Sequence, residues 1–472
     1  MSLISNFFKA TVLSRNGVVV ALLVAVTSYG LGVYARPTES TTEFNAARAV
    51  TDLQCVGWNT TGPTPRQRLI VGNGSSLVDG DTVDVSIGER MKALVPGASR
   101  ETDLKSGDFK RISAEGDSAN RIAALMTAQR SSGAGAGLAV DACRTPGQEW
   151  WFAGINTQAG YSAYLVLSNP DNADTVATLT AFTGDGETSM TEFHRVLVPA
   201  QGLKLVDITR AVPGEKSVAL RVHVVDGRVT ASVQTEVVDG VSQLGRTFNM
   251  PVESLSTHAV IVGIRDGIQS PLLHLVSPTE DAIASVILHT PDGSFPLSDA
   301  TDMNLDAGVV KTIDLTDVIE NSKASIEISS DQPMLASVSL FTRIGGLRDY
   351  QVLSSQAPLL RGAVTMIPSE LKLAGLQALA LTDSKVTVTA FVGGEQQWQN
   401  VTTVHEGEVA ALRLDDRRET GMVLVISSDE PQVYVTMWLE DKTSRGSYSA
   451  ATALLDPSSQ TVSGVRLMLR TS

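Results

Sequence analysis

One stretch of alternating apolar and small polar residues, closed by a glycine-rich break, occurs three times in this chain. Val176-Ala-Thr-Leu-Thr-Ala-Phe-Thr-Gly-Asp-Gly186 returns 107 residues later as Ile283-Ala-Ser-Val-Ile-Leu-His-Thr-Pro-Asp-Gly293, and again as Lys385-Val-Thr-Val-Thr-Ala-Phe-Val-Gly-Gly-Glu395. Period-two alternation running into such a break predicts a half-buried strand entering a hairpin. The next element keeps the offset: Leu203-Lys-Leu-Val-Asp-Ile-Thr209 matches Val310-Lys-Thr-Ile-Asp-Leu-Thr316, with a weaker third copy at Ala410-Ala-Leu-Arg-Leu-Asp415. A third shared element, Ile-Ser-Ser-Asp-x-Pro, stands at 328–333 and 426–431. Asp opens turns and Pro is not tolerated in a central strand, so the motif predicts strand, turn, strand. The first copy carries Val225-Asp-Gly-Arg228 instead, a hairpin signal.

Repeats of this length exceed a solenoid unit and match a β-sandwich domain of about 100 residues. In the second copy the pattern predicts strands near 260–264, 272–276, 283–290, 309–315, 324–329, 334–342 and 350–354. The expected fold class is all-β, with tandem immunoglobulin-like β-sandwich repeats at 149–256, 257–360 and 361–472. Residues 37–148 are less regular and are expected to form a divergent β-rich domain. There, Leu69-Ile-Val71 before Asn73-Gly74 reads as a strand and turn, and Arg121–Gln129 as a short helix. Stacked sandwiches would present a long rigid surface with many loops at their ends.

Ahead of these lies Gly17–Ala35, a charge-free apolar run close to the ~20 residues that a helical bilayer crossing takes. Lys9 and Arg15 precede it, and the positive-inside tendency then keeps residues 1–15 in the cytoplasm and sends the rest outward. Two readings stay open. A run longer than a usual signal core favours a retained single-pass anchor over 16–36, whose partner is the lipid bilayer. The small residues of Val33-Tyr-Ala35 would instead suit cleavage and secretion.

The net charge of −14 argues against a nucleic-acid partner and disfavours unassisted binding to anionic lipid or polyanionic wall polymers. The two cysteines, Cys55 and Cys143, both follow the apolar run, where disulfides form and persist, and a disulfide is the favoured reading over two buried thiols. Two cysteines without nearby histidines are too few for a zinc site. No cofactor is expected.

Ala142-Cys-Arg-Thr-Pro-Gly-Gln-Glu-Trp150-Trp151-Phe-Ala-Gly154, followed by Tyr164-Leu-Val-Leu-Ser-Asn-Pro170, resembles an uncharacterised actinobacterial family of membrane-anchored or secreted, β-rich cell-envelope proteins. The resemblance is most specific near 142–190. It implies an extracytoplasmic role in envelope assembly beside a membrane enzyme such as a glycosyltransferase, and it implies no known activity.

Trp150 and Trp151 are adjacent, so in a strand they face opposite sides. Either both pack, or one fills the core while the other offers a stacking face to a sugar or an interface. The six histidines, at 194, 223, 258, 274, 289 and 405, form no metal-ligand spacing. His289 takes the repeat position of Phe182 and Phe391, which predicts a packing role. Glu280-Asp281 and Asp415-Asp416 read as loop-end charges. No nucleophile elbow or phosphate-binding loop is present. The reading that follows is a non-catalytic extracytoplasmic scaffold or interaction protein of the cell envelope. A wall-polysaccharide binding protein is the alternative.

Overall fold

The computed structural model describes residues 49–463, apart from short stretches at 60–63, 76–81, 89, 117–118, 189, 191–192, 253, 320–321, 361, 372, 415–420 and 456–460. The apolar run and the pair Asp415-Asp416 lie outside the described residues. Among the described residues the chain is almost entirely β, and no helix is long and apolar enough to cross a membrane.

A single strand order recurs four times. In residues 149–249 one sheet runs Gly186–Thr188, Thr175–Thr183, Val218–Val224, Glu149–Ile155, and the facing sheet runs Leu203–Asp207, Tyr161–Ser168, Thr230–Asp239, Ser242–Asn249. All pairs are antiparallel. Residues 256–354 repeat this order. One sheet runs Gly293–Pro296, Ala282–Thr290, the first part of Ala324–Gly345, Ser256–Ile264; the other runs Lys311–Asp314, Ile268–Val276, the second part of Ala324–Gly345, Leu347–Ser354. Residues 363–453 repeat it with Glu395–Val404, Ser384–Val392, Met422–Ser428, Ala363–Ile367 facing Val409–Arg413, Leu373–Ala380, Val433–Thr443, Gly446–Ala453.

The N-terminal region follows the same plan. Arg90–Leu94, Val83–Ile87, Phe109–Glu115 and Ala49–Val56 make one sheet; Ser99–Leu104, Arg66–Asn73, Ile122–Arg130 and Gly137–Ala142 make the other. The segment expected as a short helix near 121–129 is thus mostly the strand Ile122–Arg130. Its β-branched and small residues alternate between two buried faces, which a solvent-facing helix would not need. Each unit closes over its own core. In the second unit Trp150, Phe152, Leu179 and Leu220 from one sheet meet Leu165, Leu167, Val206 and Val233 from the other.

The Ile-Ser-Ser-Asp-x-Pro motif does not end a hairpin in the third unit. Ala324–Gly345 is one continuous strand, which pairs through Ser330 with Ala282–Thr290 and as far as Met334 with Ser256–Ile264 in one sheet, and from Leu335 in the other. Asp331 and the exposed Pro333 form the corner between sheets, where a missing amide costs no ladder bond. The Asp has a second task. Asp331 Oδ1 accepts the amide of Ile283 at 2.7 Å, and Asp429 Oδ1 accepts that of Lys385 at 2.6 Å, at the matching strand start of the next copy.

The units do not form a linear stack. The last strand of each packs against the last strand of its neighbours in a closed cycle. Gly137–Ala142 meets Ser242–Asn249, which meets Leu347–Ser354, which meets Gly446–Ala453, which returns to Gly137–Ala142. The terminal strands close the same cycle, with Thr461–Ser463 pairing antiparallel to Ala49–Thr51. Where the four last strands converge, Asp349 is fully buried. Its Oδ2 accepts the amides of Leu138 at 2.9 Å and Ser449 at 3.2 Å, and its Oδ1 those of Arg246 at 3.0 Å and Tyr350 at 3.1 Å. One carboxylate thereby takes an amide from each of the other three units. Burial pushes its pKa well above the usual carboxylate range, against these amides and the Arg246 guanidinium. Gly245, at φ +121°, lies where a Cβ would stand 2.2 Å from Asp349 Oδ1, so the close approach at this point requires glycine.

Candidate functional site

Cys55 and Cys143 are joined in a disulfide with Cα atoms 4.7 Å apart. The bond ties the first strand of the N-terminal unit to the segment that leaves it, and it points to an oxidising, extracytoplasmic compartment.

Trp150 and Trp151 point to opposite sides of their strand, and both sides are inside. Trp150 fills the core of the second unit and donates its Nε1–H to the Val229 carbonyl at 2.9 Å. Trp151 belongs to a separate cluster with Phe182, Val252, Val276, Val310 and Leu335, which joins the second unit to the third. Its ring stacks on Phe182 at 6.1 Å, carries the Arg221 guanidinium at 5.3 Å, and donates Nε1–H to Glu149 at 2.7 Å. Residue exposure of 2% and 3% leaves neither ring a face for a sugar. The open stacking face that alternation allowed is occupied by the neighbouring unit.

His274 is buried between Ser339 and Thr312, and burial with Lys216 nearby lowers its pKa to about 3, so it stays neutral. His289 is buried as well but is polar in its role. His289 Nε2 and His258 Nε2 meet the two oxygens of Glu327 at 2.9 and 2.8 Å, and Ser294 Oγ holds His289 Nδ1 at 2.8 Å. The His289 bond, opposed by partial burial and aided by His258, holds the Glu327 carboxyl below its ordinary range. Asp281 caps the Ala307 amide at 2.8 Å, as a loop-end charge does. Among the described residues no group of three His, Cys, Asp or Glu side chains is arranged to hold a metal ion.

A cavity of about 970 Å³ opens in the N-terminal unit, between the edge strand Arg90–Leu94 of one sheet and the edge strand Ser99–Leu104 of the other. Arg90 and Lys92 lie two residues apart, on one face of their strand. Arg100 and Lys105 line it from the opposite side, and the half-buried Phe109 ring lies in its wall. Its far rim is Pro170 and Gln201 of the second unit. Arg111 closes the floor by gripping the buried Asp52 at 2.7 and 3.0 Å, and Arg228 of the second unit reaches the same carboxylate at 3.0 Å. The acids of the cavity have partners: Glu101 and Asp103 pair with Arg68, and Asp108 with Lys110. Arg90, Lys92, Arg100 and Lys105 make no ion pair among the described residues. Sequence reasoning missed this site because it weighed only the net charge of −14. Residues 90–111 hold six Lys and Arg against three acids, and a local count finds them.

The profile of a family of unknown function (DUF5719) matches residues 98–415. The chain belongs to that family. The match begins at the Ser99–Leu104 edge of the cavity, includes the tryptophan pair and the Glu327 cluster, and ends in the fourth unit, so the family's defining span crosses all four units. No curated protein matches the chain. Among solved structures, the tetra-tandem repeat in the extending region of a large adhesion protein is similar at 14% identity, covering 87% of this chain and 100% of that one, with a TM-score of 0.09. Streptomyces avermitilis α-L-rhamnosidase complexed with L-rhamnose is similar at 9% identity over 80% of this chain and 53% of that one, with a TM-score of 0.13. Neither likeness carries an argument about this DUF5719 protein.

Proposed function

We propose that this protein is a non-catalytic, extracytoplasmic interaction platform of the bacterial cell envelope. In this reading the apolar run 17–35 anchors it, and the four units are immunoglobulin-like sandwiches fixed in one body. The platform acts beside a membrane enzyme such as a glycosyltransferase. The observation that carries the reading is the cavity of the N-terminal unit. Four of its cations, Arg90, Lys92, Arg100 and Lys105, make no ion pair among the described residues while its acids are committed to partners, which suits holding a ligand more than transferring a proton. The disulfide, within the N-terminal unit, and the Asp349 carboxylate, between all four units, support it by holding the units as one body. The alternative role, binding wall polysaccharide, no longer rests on the tryptophans and shares this cavity.

The test is cross-linked affinity purification of the full-length protein from native membranes, with mass spectrometry of what is recovered. The expected result is repeated, near-stoichiometric recovery of one membrane enzyme. Recovery of no membrane protein above a mock purification overturns the adaptor role.

A further inference from the structure

We infer that the cavity between the two edge strands of the N-terminal unit binds a polyanionic saccharide chain bearing carboxylate or phosphate groups. The inference deepens the platform reading and rests on it only for the extracytoplasmic compartment. Three observations carry it.

The first is charge placement. Arg90, Lys92, Arg100 and Lys105 converge on one concavity from two different sheets and have no ion-pair partners among the described residues. Edge strands often carry lysine to discourage strand pairing. That role does not call for cations on two sheets facing one another across a cavity. A concave cationic surface on an acidic protein focuses field toward an incoming anion, and the acidic remainder repels that anion from everywhere else.

The second is size and shape. A volume of about 970 Å³ stands at the upper end of ligand pockets and greatly exceeds one small anion. Arg90 and Lys92 repeat at roughly 7 Å along their strand, which suits charges that recur along a chain.

The third is the remainder of the lining. The half-buried ring of Phe109 offers an apolar face, and Thr102 and Gln201 add hydroxyl and amide groups that suit sugar hydroxyls.

The test uses the full-length protein in detergent, titrated calorimetrically with polygalacturonate and with linear polyphosphate. Neutral dextran, oligoglutamate and anionic lipid vesicles serve as comparisons. Polygalacturonate is expected to bind, dextran to bind far more weakly, and binding to fall with added salt. R90E/K92E reverses two exposed cations, and its affinity for polygalacturonate is expected to fall about thirty-fold. R195E in the second unit, also exposed, is expected to leave it unchanged. Circular dichroism of R90E/K92E checks that it folds, and R90Q/K92Q gives a milder form of the same loss. Four outcomes overturn the inference: polyphosphate binding without polygalacturonate binding, which marks an anion site indifferent to sugar, equal affinity for dextran, oligoglutamate or vesicles preferred to both polymers, or no effect of R90E/K92E on a folded protein. Polymer binding without a recovered membrane enzyme leaves this inference standing and removes the adaptor role; the reverse does the opposite.

Discussion

Replacing Asp349 with alanine tests whether the four units form one body or four. The carboxylate accepts amides from Leu138, Arg246 and Ser449, one from each of the other units, and is itself fully buried. Asp349→Ala leaves these three N–H groups, and that of Tyr350 in its own unit, without the carboxylate acceptor in the interior. Each orphan costs about 1–3 kcal/mol, so the gross loss is about 4–12 kcal/mol. Removing a buried carboxylate recovers part of its desolvation cost, which amounts to several kcal/mol for an ion. The net expectation is a loss of about 3–5 kcal/mol. Asp349→Asn keeps one carbonyl oxygen but turns an NH₂ toward two donors, whichever way the amide sits. Its expected cost is about half that of the alanine variant. The assay is urea unfolding of the full-length protein by near-ultraviolet circular dichroism, which reports the buried tryptophans, with limited proteolysis at intermediate urea. The expected result is one transition displaced to lower urea, alanine more than asparagine, with all units becoming protease-sensitive together. An unchanged midpoint refutes the reasoning. So does a variant in which residues 256–354 alone become sensitive, because the carboxylate would then serve only its own unit.

Two further outcomes follow from named contacts. Reducing the Cys55–Cys143 bond, or making C55S/C143S, opens an 88-residue loop and is expected to cost about 4–5 kcal/mol in the chain-entropy model; a shift in the urea midpoint worth less than about 1 kcal/mol counts against it. Glu327 has a folded pKa below its ordinary 4.5, so its stabilising effect is present above that value and fades as pH falls through and below it. The stability gap between the native protein and Glu327→Gln is therefore expected to close on acidification below about pH 4.5, and a gap that stays constant from pH 6 to 3 counts against the His258–Glu327–His289 linkage.

The all-β class and the strand–turn signals were legible because period-two alternation is local. The same locality explains what was missed. The N-terminal unit shares the strand order of the others, yet its edge strand is Ser99-Arg-Glu-Thr-Asp-Leu104 where the second and third units carry Leu203-Lys-Leu-Val-Asp207 and Lys311-Thr-Ile-Asp314, so no sequence match reveals it. At the centre, Leu138, Arg246 and Ser449 reach Asp349 through their backbone amides, so their three side chains share no pattern. A motif search has nothing to align there. The Ile-Ser-Ser-Asp-x-Pro motif was found but read as a turn. Its Asp recurs because Ile283 and Lys385 each need an acceptor at a strand start, and that need is visible only once both strands are placed.

Closure of the cycle also decides where a binding site is able to be. The outer face of the second unit's first sheet, with Trp151 and Phe182, is covered by Val276 and Leu335 of the third unit. Val260 and Val262 of the third unit are covered in the same way by Leu379 and Tyr434 of the fourth. Val364 and Met366 of the fourth pack with Ile70 and Leu125 of the first. One sheet face of each of these units is spent on its own core and another on its neighbour, which is why both tryptophans are buried. What such an arrangement leaves to solvent is edges and loop ends. The cationic cavity lies between two edges, Arg90–Leu94 and Ser99–Leu104, in the unit whose sequence departs furthest from the repeat. Divergence there follows if the first unit keeps the shared strand order for the cycle and gives its edge residues to a ligand.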